Sequence, residues 1–277
     1  MRRILASLVG LTVVSSLASA QAPVPVRLRW APGQVLLYRV EHVTEANDLS
    51  AEAKNETKSV LRATRRWQVL HVDAAGVATL QMSIVAMYQE RTTPGDVVKF
   101  DSANPQASTP QLREAMSKFL DTPLATIRVD PFGRVVEVKE SKSAPVSYEN
   151  ELPFLVLLPA AGMKPNDAWQ RDYKITLPPP LGTGEKTDAV QKYVCKGINT
   201  DAATVAVTTD FKEAPKAALD AVPLWQLMPE GEVVFDVKNG RLHSAKLTIS
   251  KELKNHQGEN SSMTYKSTLT VTYAGDR

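Results

Sequence analysis

The side chains best suited to catalysis or metal binding in this sequence are four histidines and one cysteine. The cysteine is Cys195, and the histidines are His42, His71, His243 and His256. No two of the histidines have the spacing of a helical metal site, and a single cysteine cannot supply the ligands of a structural zinc site. We therefore predict no metal ion and no cofactor.

Nucleophilic catalysis would require a nucleophile with a base in hydrogen-bond reach. The sequence lacks the G-x-S-x-G motif that exposes a serine between a strand and a helix. A hydrolase could still combine residues from distant strands, such as Asp101 with His71. We name no catalytic residue and rank a hydrolase with a dispersed site below two non-enzymatic hypotheses.

Cys195 lies two residues after Tyr193 in a predicted strand, so both side chains point to one face of the sheet. Because a free cysteine behaves as a small apolar side chain, we predict that Cys195 packs inward. A disulfide to a second chain is the alternative.

A basic cluster follows the first predicted strand. It consists of Lys58, Arg62, Arg65 and Arg66, with Glu52 and Glu56 close by in the sequence. We predict a solvated sheet edge, because charged side chains on an edge prevent pairing with strands of other chains. Binding of an anionic polymer of the cell envelope is the alternative.

The elements that would carry these side chains are β-strands. Apolar and polar residues alternate in segments typical of strands with one face in solvent. We predict strands near residues 35–44, 57–72, 77–90, 124–129, 134–140, 169–177, 186–198, 203–211, 231–237, 241–253 and 262–273. The connections at 73–76, 130–133 and 239–240 have the composition of tight turns, so neighbouring strands should be antiparallel. We expect a mainly β protein with one or two short helices, folded as a curved sheet, a half-barrel or a sandwich.

One helix is predicted after Thr109, which suits the N-cap, with Pro110 at the first helical position. Its apolar stripe consists of Leu112, Met116, Phe119 and Leu120. We predict that this stripe covers a cavity. The apolar run 152–158 could be a short buried helix or a strand, and we favour the helix.

The predicted elements occur in the same order in two parts of the chain, which indicates two similar β-rich halves. We place the first half at 21–140, a connecting segment at 141–163 and the second half at 164–277. Few residues are identical between the halves, so the ordinary repetition of hairpins is the alternative.

Residues 1–20 have the features of a signal peptide. Arg2 and Arg3 precede an apolar stretch, and residues 18–20 read Ala-Ser-Ala. We predict cleavage between Ala20 and Gln21, export by the general secretory route, and a periplasmic or extracellular location. The mature chain should not span a membrane, because the apolar stretch is shorter than the roughly 20 residues of a spanning helix.

The charge balance argues against nucleic acid as a partner. Without Arg2 and Arg3, 31 of the 33 basic residues remain against 30 acidic residues, a net charge of +1. A nearly neutral chain has no general attraction for nucleic acid. The partner we expect is a lipid-like small molecule or an envelope protein.

Several short motifs resemble those of an uncharacterised family of exported bacterial β-rich proteins. They are Trp30-x-Pro32-Gly33 with Leu37-Tyr38, Phe100-Asp101-Ser102, and residues 231–236 followed by Asn239-Gly240-Arg241-Leu242. The resemblance implies an envelope or secreted location and no known activity. A looser analogy at the level of the fold is to the periplasmic lipoprotein-carrier proteins, in which a curved antiparallel sheet wraps an apolar cavity plugged by helices.

These observations predict an exported, non-enzymatic protein that binds an apolar or amphiphilic ligand in the concavity of a curved sheet. The alternative is an envelope adaptor or structural protein that acts through a surface patch and has a fully packed interior.

Overall fold

The protein forms a large antiparallel β-sheet of twelve strands in the computed structural model, which describes residues 22–50, 54–142, 148, 152–177, 182–213 and 215–276. The strands are β1 (Val35–Leu49), β2 (Lys54–Val72), β3 (Ala78–Thr93), β4 (Asp96–Asp101), β5 (Ala125–Val129), β6 (Val135–Ser141), β7 (Ala168–Thr176), β8 (Lys186–Ile198), β9 (Ala202–Phe211), β10 (Glu230–Asp236), β11 (Arg241–Lys254) and β12 (Ser262–Asp276). Helix α1 spans Pro110–Ser117, and 3₁₀ segments span Pro105–Ala107 and Ala218–Leu227. The predicted signal peptide, with Ala20 and Gln21, lies outside the described residues.

All eleven strands predicted from the alternation are confirmed, and β4 is an addition to them. The turn before β4 contains Pro94 and Gly95, and Gly95 has a φ of +80°. This conformation favours glycine, so the dipeptide was a turn signal that the strand prediction did not use. β4 pairs with the end of β3, where Asp101 lies opposite Tyr88.

The order across the sheet is β7-β8-β9-β10-β11-β12-β1-β2-β3-β5-β6, with β4 attached to β3. Each half of the chain therefore forms a meander, and the two meanders join where β12 pairs with β1. The sheet is curved and open, neither a sandwich nor a closed barrel. The sheet is continuous across the two predicted halves, and the limits of these halves stay a prediction.

The inner face of the curved sheet is filled by residues 152–163, which we call the core segment. Residues 152–155 form turns instead of the helix favoured from the sequence. The ring of Phe154 packs edge-to-face against Trp67, with centroids 5.2 Å apart. The hydroxyl of Tyr193 donates a hydrogen bond to the carbonyl oxygen of Leu155 at 3.0 Å. A carbonyl group that would bond within a helix thus accepts a hydrogen bond from a side chain of the sheet.

Both sides of the sheet are tied to the core segment by hydrogen bonds. The backbone nitrogen of Leu158 donates to the carbonyl oxygen of Phe132, in the turn before β6, at 2.9 Å. On the other side, Trp169 of β7 donates from Nε1 to the carbonyl oxygen of Leu157 at 2.6 Å. The chain just before β1 also pairs with the core segment, because Val24 and Met163 form a two-way backbone bridge. Part of the predicted connecting segment is therefore the centre of the core.

Helix α1 lies against β4. The four residues of its predicted stripe are half-buried, and Phe119 and Leu120 lie beyond the end of the helix at Ser117. The N-cap position of Thr109 is confirmed, but its hydroxyl accepts a hydrogen bond from the backbone nitrogen of Lys99 at 3.0 Å. That bond holds the helix start against β4. The cavity-covering role of the stripe stays a prediction.

Replacing Phe154 with alanine is expected to lower the free energy of unfolding by about 3–5 kcal/mol, because it leaves a cavity against Trp67 in the core. Urea denaturation followed by circular dichroism measures the change. Val136 on β6 is 47% exposed and serves as the control. Val136→Ala should change the free energy by less than about 0.5 kcal/mol. Equal effects of the two substitutions would contradict this description of the core.

Candidate functional site

An open depression of about 450 Å³ lies between the edge strands β6 and β7, and we call it the seam. It is lined by Arg134, Val135, Leu157, Arg171, Asp172, Tyr173, Lys174, Thr176 and Lys186. Its volume falls in the range of roughly 300–1,000 Å³ that is typical of small-molecule sites. Leu157 belongs to the core segment, and Val135 packs against the core, so the lining of the seam reaches the core.

The walls of the seam are positioned by local features of the sequence. On one side, Oδ1 of Asp130 accepts hydrogen bonds from the backbone nitrogens of Phe132 and Arg134, both at 2.9 Å. This closed turn leads into β6 and places Arg134 directly before it. On the other side, exposed and more buried residues alternate along β7. β7 pairs with β8, which places Lys186 opposite Thr176.

Arg171 and Tyr173 are held in place by neighbours on β8 and the 3₁₀ segment. Nε of Arg171 donates to Oε1 of the buried Gln191 at 2.7 Å, and its guanidinium carbon lies 5.4 Å from the Tyr173 ring centroid. The Tyr173 hydroxyl donates to the carbonyl oxygen of Leu227 at 3.3 Å. Burial raises the pKa of Tyr173 to about 12, so its ring is neutral at physiological pH.

The seam has an excess of positive charge. Four cationic side chains line it, against the single carboxylate of Asp172. Asp172 already pairs with Lys212 at 2.7 Å, and Lys174 pairs with Asp188 at 2.6 Å. The hydrogen bond from Lys174 also holds the pKa of Asp188 below its usual value. The site thus combines cations with the apolar side chains of Val135 and Leu157.

A second depression of about 500 Å³ lies on the outer face of β1, β2, β3 and β12, beside residues 101–103. Its Arg62 and Glu41 form an ion pair with Nε and Oε1 2.7 Å apart. The guanidinium carbon of Arg62 lies 5.8 Å from the Tyr88 ring centroid. Since these charges compensate each other, this depression is a weaker candidate for a charged ligand than the seam.

The inner face also carries a histidine–serine pair that sequence reasoning missed. Nε2 of His42 on β1 lies 2.7 Å from Oγ of Ser267 on β12, 225 residues away. Burial, and secondarily the charge of Arg65, lower the pKa of His42. Ser267 is buried within a regular strand pair, where it lies opposite Thr44. We interpret the pair as a structural hydrogen bond, because a nucleophile must be accessible to a substrate. Only the pairing of β1 with β12, which leaves no local signal, brings the two residues together.

The hydrolase pair suggested from the sequence is not formed. Asp101 lies opposite Tyr88, which in turn lies opposite Arg62 on β2. His71 is nine residues further along β2, which corresponds to roughly 30 Å. Among the described residues, no group of three or more histidine, cysteine, aspartate or glutamate side chains could hold a metal ion.

The basic cluster lies inside the sheet and not at an edge, which corrects the sequence-based prediction. β2 is paired on both sides, with β1 and β3. Lys58 and Arg62 form ion pairs with Glu45 and Glu41 of β1, at 3.0 and 2.7 Å. Alternating charges on the outer face of adjacent strands attract each other across the pair. The inward packing predicted for Cys195 is confirmed, since its side chain is buried and burial raises the pKa of the thiol.

The described part of the chain contains no helix that is both long enough and apolar enough to cross a membrane.

Comparison with known proteins identifies no family for this chain, because no protein-family model and no curated protein sequence matches it. The resemblance to an exported bacterial family therefore stays a prediction. A solved structure entitled "Lipid-protein interactions in lipovitellin" matches 90% of this chain with 13% identity and a TM-score of 0.47, and this chain spans 26% of its length. The structure of DynF, from the dynemicin biosynthesis pathway of Micromonospora chersina, aligns with 96% of this chain. The alignment covers 94% of the DynF chain, with 8% identity and a TM-score of 0.22. Similarity at this level assigns no function.

The burial of His42 predicts a pH dependence of stability. Because its folded-state pKa lies below the ordinary value of about 6.5, the unfolded chain binds this proton more readily. The free energy of unfolding should therefore decrease as the pH falls from about 6.5 through the folded-state pKa. His42→Gln keeps a hydrogen-bonding group near Ser267 but cannot titrate, so this decrease should be smaller in that variant.

The measurement is urea denaturation at pH 7.5 and 5.5. His71→Gln, which alters an exposed histidine of β2, is the control and should keep the pH dependence of the natural chain. An unchanged pH dependence in His42→Gln would show that His42 is not the buried group responsible.

Proposed function

We propose that this protein is an exported, non-enzymatic binding protein for an amphiphilic ligand, which it holds in the seam between β6 and β7. The main support is the combination of cationic side chains with Val135, Leu157 and Tyr173 in one depression of about 450 Å³. Such mixed linings suit ligands with one apolar and one polar part. The signal-peptide features of residues 1–20 support the exported location.

The seam replaces the concavity as the proposed binding site, because the core segment fills the inner face beneath it. Phe154 and Leu155 are each 1% exposed. A ligand that entered there would have to displace both side chains and break the Tyr193–Leu155 hydrogen bond. The seam needs no such rearrangement, since it is already open to solvent. Binding in a preformed site also avoids the cost of reorganising the protein.

An amphiphile in the seam would place its apolar part against Leu157 and Val135. Removal of apolar surface from water stabilises a complex by roughly 25 cal/mol per Å². The ring of Tyr173 can add contact area, because its hydroxyl is already hydrogen-bonded to Leu227 and its ring lies in the lining. The polar part would remain near the exposed cations at the rim.

The second candidate function is an envelope adaptor that binds a protein partner by strand addition. Ten successive antiparallel pairings separate β6 from β7, so the two edge strands point in the same direction. One extended segment running opposite to both could therefore pair with both. Exposed strand edges are ready sites for such pairing.

Leu157→Asp should weaken the binding of dodecanoate at least about tenfold, because it introduces a charge where the apolar part would lie. Isothermal titration calorimetry below the micelle concentration gives the affinity and the stoichiometry, which we expect to be one to one. Leu70 on β2 is 44% exposed, and Leu70→Asp is the matched control, with unchanged affinity. Circular dichroism checks the fold of both variants. Absence of saturable binding to the natural chain, or equal affinity in both variants, would refute the proposed site.

Hydrogen exchange separates the two candidate functions. A bound amphiphile should slow amide exchange near Arg134, Val135 and residues 171–176. A paired partner strand should slow it along the whole of both β6 and β7. Protection of both complete edges by a purified protein partner, with no effect of dodecanoate, would favour the adaptor.

A further inference from the structure

We propose that the seam selects amphiphiles with an anionic headgroup, either a carboxylate or a phosphate. This inference rests on the proposed function and specifies the ligand class of the same site. The lining contains four cationic side chains and one carboxylate. An uncompensated positive rim favours an anionic group, repels a cationic one and gives a zwitterion little net attraction.

The internal pairs of the seam do not remove this excess. The carboxylate of Asp172 is engaged by Lys212 at 2.7 Å, from outside the lining. Lys174 is neutralised by Asp188 at 2.6 Å. Arg171 is already engaged by Gln191, to which its Nε donates a hydrogen bond at 2.7 Å, so the excess is assigned to the other cations.

The remaining two cations lie on different walls. Arg134 precedes β6, and Lys186 begins β8 beside the end of β7. Both are exposed, and neither forms an ion pair with another residue in the described ranges. Two cations on different walls can approach one headgroup from two directions. A guanidinium binds a carboxylate or phosphate through two parallel hydrogen bonds, which adds geometric selectivity.

The depth of the seam fixes the orientation of the ligand. The cations Arg134 and Lys186 are exposed, whereas Leu157 is half-buried next to the core. The headgroup would therefore face solvent and the cations, and the chain would point toward Leu157. A ligand in the opposite orientation would leave an anionic group beside buried apolar side chains, which is strongly unfavourable.

The test compares headgroups on the same twelve-carbon chain by calorimetry below the micelle concentration. The ligands are dodecanoate, dodecyl phosphate, dodecylphosphocholine and dodecyltrimethylammonium, with inorganic phosphate as the chain-free anion. We expect both anionic amphiphiles to bind at least about tenfold more tightly than dodecylphosphocholine, and dodecyltrimethylammonium to bind most weakly. The preference should decrease as salt is raised, since these charges are exposed.

The double variant Arg134→Glu, Lys186→Glu should lose the anionic preference but keep the affinity for dodecylphosphocholine within about twofold. The matched control reverses two exposed lysines on β11 and its preceding turn, Lys246→Glu and Lys238→Glu, and should keep the preference. Thermal unfolding of both variants checks that they fold.

Each outcome separates the inference from the proposed function. Equal affinities for all four amphiphiles, or an anionic preference that survives in the Arg134→Glu, Lys186→Glu variant, would overturn the inference and leave amphiphile binding intact. No binding of any amphiphile would overturn both. Binding of inorganic phosphate as tightly as dodecyl phosphate would refute the proposal of an amphiphilic ligand and indicate a site for a free anion.

Discussion

The structure depends on one requirement: the apolar inner face of the curved sheet must be covered. A sheet with one apolar face is stable only when another layer packs on it. Here the covering layer is the core segment, 152–163, through Phe154 against Trp67 and through backbone groups that bond to both sides of the sheet. The same residues that fill the interior hold the Phe132 turn and β7 in fixed positions. They thereby also determine the separation of the two edges and the shape of the seam.

The number of strands excludes closure of this sheet into a purely antiparallel barrel. An antiparallel barrel closes without a mismatch only when the number of strands around it is even. Eleven strands follow one another along the main path of this sheet, so β6 and β7 have the same direction. Direct pairing of β6 with β7 would be parallel, whereas the strands of the described sheet pair antiparallel throughout. The resulting gap has apolar side chains below and charged side chains at its rim, which is the physical origin of the amphiphile-binding proposal.

The fold was largely predictable, because alternation and turn composition are signals within short segments. The site was not predictable, because its residues come from distant parts of the chain. Alternation located eleven strands, and the turn chemistry at 130–133 and at Gly240 indicated antiparallel neighbours. The run 152–158 was misjudged, since its apolar composition suits any buried conformation and its carbonyl partners lie on Tyr193 and Trp169. The basic cluster was placed at an edge because strand order cannot be read from one strand alone. Likewise, Arg134 and Lys186 line the same depression only in the folded sheet.

The seam, and not the inner face of the sheet, is the proposed position of the ligand. The most direct measurement is nitrogen-15 nuclear magnetic resonance of the isotopically labelled protein with a dodecanoate analogue that carries a spin label at the end of its chain. A ligand in the seam should selectively broaden the amide signals of Val135, Leu157 and Tyr173. Broadening centred on His42, Tyr265 and Ser267, with the seam signals unaffected, would place the ligand on the inner face and refute the seam as its binding site.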